Sequence, residues 1–341
     1  MNLNKQGREE LRKKIEEQLQ NVPEGKRVHI DRELLERLIF EEYDILETTA
    51  DNSKTNKGKV IVWSGDFLKK IDLSEVSFDN VIWNISGAYR ITPFTFIDSV
   101  VGETHKVNLS GTNAKIDFSK SFDALHPFDY YGNSVPVGTK KCVAISDINF
   151  ANVDLSSSNF DYVVFIDSCC LDYTNALIKL EEPEENMFLF QIENSSLKGI
   201  DLSEYTISAT NLFANMGQYY HTTPDEDDEE VIIELRKQNI KPKRFFLESC
   251  NLTETGLNVN LTATDKIIGK IVDYDMEKGL GNLIKHGYLN GCYVNGKKIH
   301  SLEERQAIAQ EKKAEYEKMK EDLINSTISS IEEQTSGLGI K

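Results

Sequence analysis

The sequence predicts a mainly β fold: a right-handed β-solenoid of about five or more coils, with irregular insertions and α-helical N- and C-terminal segments. Three observations predict it. Large apolar residues recur at every fifth position, helical periodicity is confined to the two ends, and the longest breaks in the five-residue period are rich in turn formers or in charge. A chain of 341 residues with 39% hydrophobic and 28% charged residues has room for a large core.

Residues 1–50 read as two helices that cap the first coil. Residues 5–21 place Leu11, Ile15 and Leu19 on one stripe, and Asp31 stands where an N-cap would start RELLERLIFEEYD as a helix. A stack of strands needs its end covered, because an open edge pairs with other chains.

The body, residues 60–299, carries the period. In its clearest run the large positions are Ile145, Phe150, Leu155, Phe160, Phe165 and Cys170. Two residues before each stand Val143, Ile148, Val153, Ser158, Val163 and Ser168, and a small polar residue such as Asn149, Asp154 or Asn159 mostly separates the pair. Leu73, Phe78 and Trp83 keep the same spacing, as do Ile192, Leu197, Leu202, Ile207 and Leu212. Leu247, Leu252 and Leu257 make another block, and Ile284, Leu289 and Val294 close the series.

A helix would smear this period around its surface, and a flat strand would send successive large residues to opposite faces. A chain that turns through a right angle every five residues points both members of each pair inward. Four pentads then make a coil of about 20 residues, and coils stack at about 4.8 Å. These triplets resemble the pentapeptide-repeat family, whose consensus is Ala-(Asp/Asn)-Leu-x-x, over roughly residues 66–299 with gaps. Val, Ile and Ser stand here where that family has Ala. The resemblance implies a right-handed quadrilateral solenoid. The competing fold is a β-sandwich with accidental spacing.

Insertions interrupt the period at 84–142, 181–186 and 213–243. The first keeps isolated echoes, Val107-Asn108-Leu109 and Ile116-Asp117-Phe118, beside the turn-rich HPFDYYGNSVPVG. The third holds six consecutive acids after Pro224, a composition usually solvated and mobile. Residues 300–341 form a charged helix and tail. Ala309, Tyr316 and Leu323 are spaced there by seven with Met319 between, a seam short and impure for a coiled coil, so a cap, a solvated tail and self-association all stay open.

Charge narrows the function classes. Residues 143–235 hold 19 Asp/Glu against two Lys, so the whole net charge of −17 lies in one central block. That disfavours direct nucleic-acid binding and attraction to an anionic membrane. No apolar run approaches the roughly 20 residues needed to cross a bilayer, and the N-terminus lacks the apolar core of a signal peptide, so a cytoplasmic setting is expected.

Chemistry-bearing motifs are sparse. His29, His105, His126, His221, His286 and His300 show no metal-ligand spacing, and Gly279-Leu-Gly281 lacks the context of a phosphate loop. The five cysteines have no CxxC pairing; Cys170 and Cys250 are expected to fill the core and Cys169 to be more exposed. No catalytic residue, cofactor or metal is expected, unless an enzyme site is assembled within 84–142. The leading expectation is a non-catalytic protein-binding or scaffold protein of unidentified partner.

The alternative comes from the resemblance, since some pentapeptide-repeat proteins imitate duplex DNA in width and charge and bind type II topoisomerases such as gyrase. The acidic candidates for such a surface are Asp147, Asp161, Asp167, Asp172, Glu204, Asp225, Glu226, Asp227 and Asp228. Asp147 and Asp167, 20 residues apart, are expected to stack on adjacent coils. Apolar contacts from 126–138 or 213–222 would instead favour a scaffold.

Overall fold

The computed structural model describes residues 5–48, 53–83, 106–121, 143–158, 160, 163–167, 169–180, 190–213, 226–240 and 245–337. Helices α1 (Lys5–Leu19) and α2 (Arg32–Ile39) open the chain. The Asp31 carboxylate caps α2 by accepting the Leu34 N–H at 3.0 Å, and Leu35, Leu38 and Ile39 bury the inner stripe. The helix expected to run through RELLERLIFEEYD stops at Ile39. Phe40 turns extended and begins β1 (Phe40–Thr48), antiparallel to β2 (Ser53–Ile61) from Phe40↔Ile61 to Thr48↔Ser53. Glu42 lies opposite Lys59, and the backbone ladder along the whole of β2 outweighs the helical pattern.

The polar middle residue of each triplet has a local role. The side chains of Asp72, Asn108, Asp117, Asn149, Asp154, Asp201 and Asn251 accept the backbone N–H two residues on, at 3.0–3.2 Å. Such Asx turns bend the chain and leave the flanking apolar side chains pointing inward. Beyond several of these turns stands a residue with positive φ: Gly111, Asn152, Tyr173, Gly199 and Glu254. Their N–H groups donate in turn to the carbonyls of Ala151, Asp172, Lys198, Thr253 and Asn290, at 2.6–2.9 Å. Successive turns are thereby tied side by side, and parallel bridges Asn149↔Cys170, Cys170↔Ser196 and Ser196↔Asn251 run along them.

Three further sheets are built from short strands. Strands β3 (Val107–Asn108) and β5 (Ile148–Asn149) pair in parallel. A second sheet has β4 (Val143–Ser146), β6 (Val163–Asp167), β7 (Phe190–Glu193) and β9 (Phe245–Glu248), all parallel. The third joins β8 (Thr206–Ser208), β10 (Asn258–Asn260) and β11 (Tyr293–Val294) in parallel, with β12 (Lys297–Lys298) antiparallel at its edge. Helix α3 (Glu226–Lys237) precedes β9, α4 (Ala263–Ile271) and α5 (Met276–Lys285) lie between β10 and β11, and α6 (Leu302–Gly337) follows.

Among the described residues the architecture is mixed α/β, 40% helix and 16% strand, which overturns the expected β-solenoid of repeated coils. Most of the described strands are short, the sheets hold two or four of them, and among the described residues no solenoid or closed sheet forms. Two physical reasons stand out. The length of chain between bridged residues changes at every step, from Asn149 to Cys170 to Ser196 to Asn251, so no constant coil is possible. Helices also occupy stretches read as loop or pentad: Ile284 lies on α5, and the acidic run expected to be mobile is the first turns of α3.

The pentad-spaced residues nonetheless fill the interior. Leu73, Phe78, Trp83, Ile145, Phe150, Leu155, Phe160, Leu197, Leu202, Ile207, Leu212, Leu252, Leu289 and Val294 are buried, and Phe165 lies opposite Ile145 in β6. The echo residues Val107, Leu109, Ile116 and Phe118 join the same core. Aromatic contacts link Phe40, Phe78, Trp83, Phe118 and Phe150 at centroid distances of 5.4–6.2 Å, and the Trp83 indole N–H donates to Ser121 Oγ at 2.6 Å.

Candidate interaction surface

One irregularity decides where the acidic candidates stand. Strand β6 carries an extra residue relative to β4, so that Ile145 pairs with Phe165 but Ser146 pairs with Asp167. This β-bulge sets Asp167 opposite Ser146, so Asp147 and Asp167, expected to stack on adjacent coils, are not register partners. Asp147 is half-buried at φ 56, and its carbonyl accepts the Val107 N–H. Asp172 accepts the Ser196 hydroxyl and the Lys198 N–H, which ties it into a turn. Glu204 is exposed, while Glu226, Asp227 and Asp228 form the start of α3, where negative charge suits the helix dipole. Asp161, Asp225 and segment 181–186 lie outside the described residues, as do 126–138 and 214–222.

The same bulge corrects the cysteines. Cys169, expected to be more exposed, is 2% exposed, whereas Cys170 is only half-buried and Leu171 takes the inward place. Burial raises the thiols of Cys170 and Cys292 and pushes Cys250 up to about 12, so none of the three is a ready nucleophile near neutral pH. Among the described residues no cluster of His, Cys, Asp and Glu could hold a metal, and no helix is long and apolar enough to cross a membrane. A cleft of about 550 Å³ beside α2 is lined by Arg8, Glu33, Glu36, Arg37, Phe40, Glu41, Glu42 and Lys59. Its charges are already engaged in part, with Arg8 on Glu41 at 3.0 Å and Glu36 on Arg32 at 2.9 Å.

Helix α6 presents a different surface. Ser301 and Glu304 close a reciprocal capping box, the Glu304 N–H on Ser301 Oγ at 3.1 Å and the Ser301 N–H on the Glu304 carboxylate at 2.9 Å. From there the sequence is rich in Ala, Glu, Lys and Gln, all good helix formers, with no Gly or Pro before Gly337. Between Glu303 and Ser329 only Ile308 is half-buried; every other residue is exposed. Tyr316, Met319 and Leu323 are 67%, 71% and 67% exposed, and Ile324 and Ile328 are each 49% exposed.

No protein-family model, curated protein or solved structure matches this chain.

The surface must therefore be read from its own geometry. Residues at steps of three and four share one face of a helix, so Tyr316, Met319 and Leu323 form one apolar stripe, whereas Ile324 and Ile328 lie off it, about 100° and about 140° round the helix from Leu323. The sequence reading reached Ala309, Tyr316, Met319 and Leu323 but missed Ile324 and Ile328. Both isoleucines fall off the seven-residue register of that stripe.

Proposed function

We propose that the chain is a non-catalytic protein-binding protein and that it docks through α6, whose apolar stripe is covered by a helix of another polypeptide. The observation behind this reading is the exposure of Tyr316, Met319 and Leu323 along one face of a long helix. Contiguous exposed apolar surface marks interaction sites, and each such side chain gains about 1.5–3 kcal/mol on full burial. Isolated helices are marginal in water, so a covering partner also stabilises the helix that binds it. The alternative of a DNA-mimicking acidic surface draws on the central acidic block, especially Asp147 and Asp167; the register that sets Asp167 opposite Ser146 lends that pair no support.

The test is a photo-crosslinking amino acid placed at position 323 of the full chain, with position 318, on the opposite face, as control. A protein crosslink from 323 and not from 318, in purified protein or in cells, supports the reading. No crosslink from 323 in either setting would refute it.

A further inference from the structure

We propose that the covering helix belongs to a second copy of this chain and that the two α6 helices pair in parallel, a statement that rests on α6 being the docking element. The charges beside the stripe carry it. Ala309, Lys312, Tyr316, Met319 and Leu323 alternate at steps of three and four, the spacing of a coiled-coil seam. On such a seam Lys313 and Lys320 fall along one flank, and Glu315 and Asp322 along the other. The surface is thus basic on one side, acidic on the other and apolar between.

A two-fold interface must be complementary to itself, since the same patch serves both copies. In a parallel pair a residue on one flank faces the residue five positions on in the other copy. Glu315 then meets Lys320 of the second copy, and symmetry makes that contact twice. In an antiparallel pair lysine flank would face lysine flank and acid would face acid. The charge pattern therefore selects both the partner and the direction.

The neighbouring groups allow the pairing. Lys320 is 3.9 Å from Glu317 of its own helix, an exposed contact that costs little to exchange. The hydroxyls of Ser326 and Thr327 donate to the Leu323 carbonyl at 3.0 and 2.7 Å, so neither brings an unsatisfied donor to the seam. Lys312 is the one charge on the seam, and a single polar seam residue fixes register at a cost in stability. From Ala309 to Leu323 the contact would run roughly 21 Å at 1.5 Å per residue.

Sedimentation of the full chain, from micromolar to several hundred micromolar, is the experiment. The expected result is a concentration-dependent doubling of mass, abolished by Leu323→Asp with no change in melting temperature, because Leu323 is exposed in the single chain. Lys320→Glu or Glu315→Lys alone should weaken association roughly tenfold, and the double exchange should restore it. A single-copy mass at every concentration overturns the proposal, as does a dimer indifferent to Leu323→Asp. A double exchange that fails to restore association overturns the parallel arrangement. If sedimentation shows one copy while position 323 crosslinks to a different protein, the second copy is refuted and the docking role of α6 stands; no crosslink at all refutes both.

Discussion

Asp265 accepts five hydrogen bonds, the most of any carboxylate among the described residues, and replacing it should damage the fold more than replacing an exposed acid would. The residue is fully buried, at the start of α4. One oxygen accepts the Ser208 and Thr210 hydroxyls and the Thr210 N–H at 3.2 Å; the other accepts the Thr262 N–H and hydroxyl at 2.6 and 2.7 Å. Burial acts to raise this carboxyl, but those donors outweigh it and hold the group below its ordinary value. Asp265→Ala strands two donors on Thr210, itself fully buried, each costing about 1–3 kcal/mol, and removes the Asp265 half of the capping box with Thr262, worth about 1 kcal/mol. The expected loss is about 3–7 kcal/mol, with Asp265→Asn smaller because one acceptor survives, and Thr262→Ala close to the cap alone. Urea unfolding followed by circular dichroism gives the order. Because the folded carboxyl is depressed, its contribution is present above the unfolded value and lost as pH falls through the folded one, so Asp265→Asn should also flatten the acid limb of stability. A loss below about 1 kcal/mol for Asp265→Ala would show that the network is not what holds α4 to the β8 turn.

Three further outcomes follow from the same geometry. Gly199 has φ 72 and an added Cβ would lie 2.4 Å from the Tyr173 ring, so Gly199→Ala should cost about 1–2 kcal/mol by thermal melting; an unchanged midpoint would mean that Tyr173 moves aside freely. Asp72 is held down to about 2 by hydrogen bonds from Asn113 first and Ser74 next, so its contribution is present above about pH 3.9 and disappears towards pH 2. Asp72→Asn should therefore lower stability at neutral pH and lessen its fall with acid, and parallel pH curves for the two proteins would contradict the assignment. Cys169, Cys250 and Cys292, all buried, should resist a thiol reagent at neutral pH until urea unfolds the chain, read by peptide mass mapping; rapid native labelling of Cys250 would sink the burial argument.

What the sequence discloses is set by how locally each feature is determined. The inward direction of Leu155 and Leu202 is fixed by Asp154 and Asp201, whose carboxylates close turns onto Ser156 and Ser203 within the same few residues. The start of α4 is likewise local, because Thr262 and Asp265 satisfy each other three residues apart. Pairing is not local. Nothing in the run from Val163 to Asp167 announces that β6 holds one residue more than β4, yet that residue moves Asp167 off Asp147 and exchanges the environments of Cys169 and Cys170. Phe40 shows the other failure. Its neighbours have helical spacing, and only β2, more than ten residues away, supplies the backbone partners that make it a strand. A fold class inferred from spacing alone inherits that blindness, because a constant coil requires every connection to be equal and these connections are not.

The exposed stripe of α6 is legible for the opposite reason, since it depends on no partner within the chain. A helix that packs on its own body repeats apolar residues on the face turned inward, as α2 does with Leu35, Leu38 and Ile39, all buried. Helix α6 has comparable spacing in Tyr316, Met319 and Leu323, and all three remain in solvent. Its polar residues follow the same logic: Lys313 and Lys320 stand apart from Glu315 and Asp322, whereas a helix that only needed to stay hydrated could scatter them. Segregated charge is of little use to an isolated helix, where pairs three or four residues apart yield only a few tenths of a kcal/mol. It matters when a second surface with the reverse arrangement lies alongside, and another α6 running in the same direction supplies that arrangement.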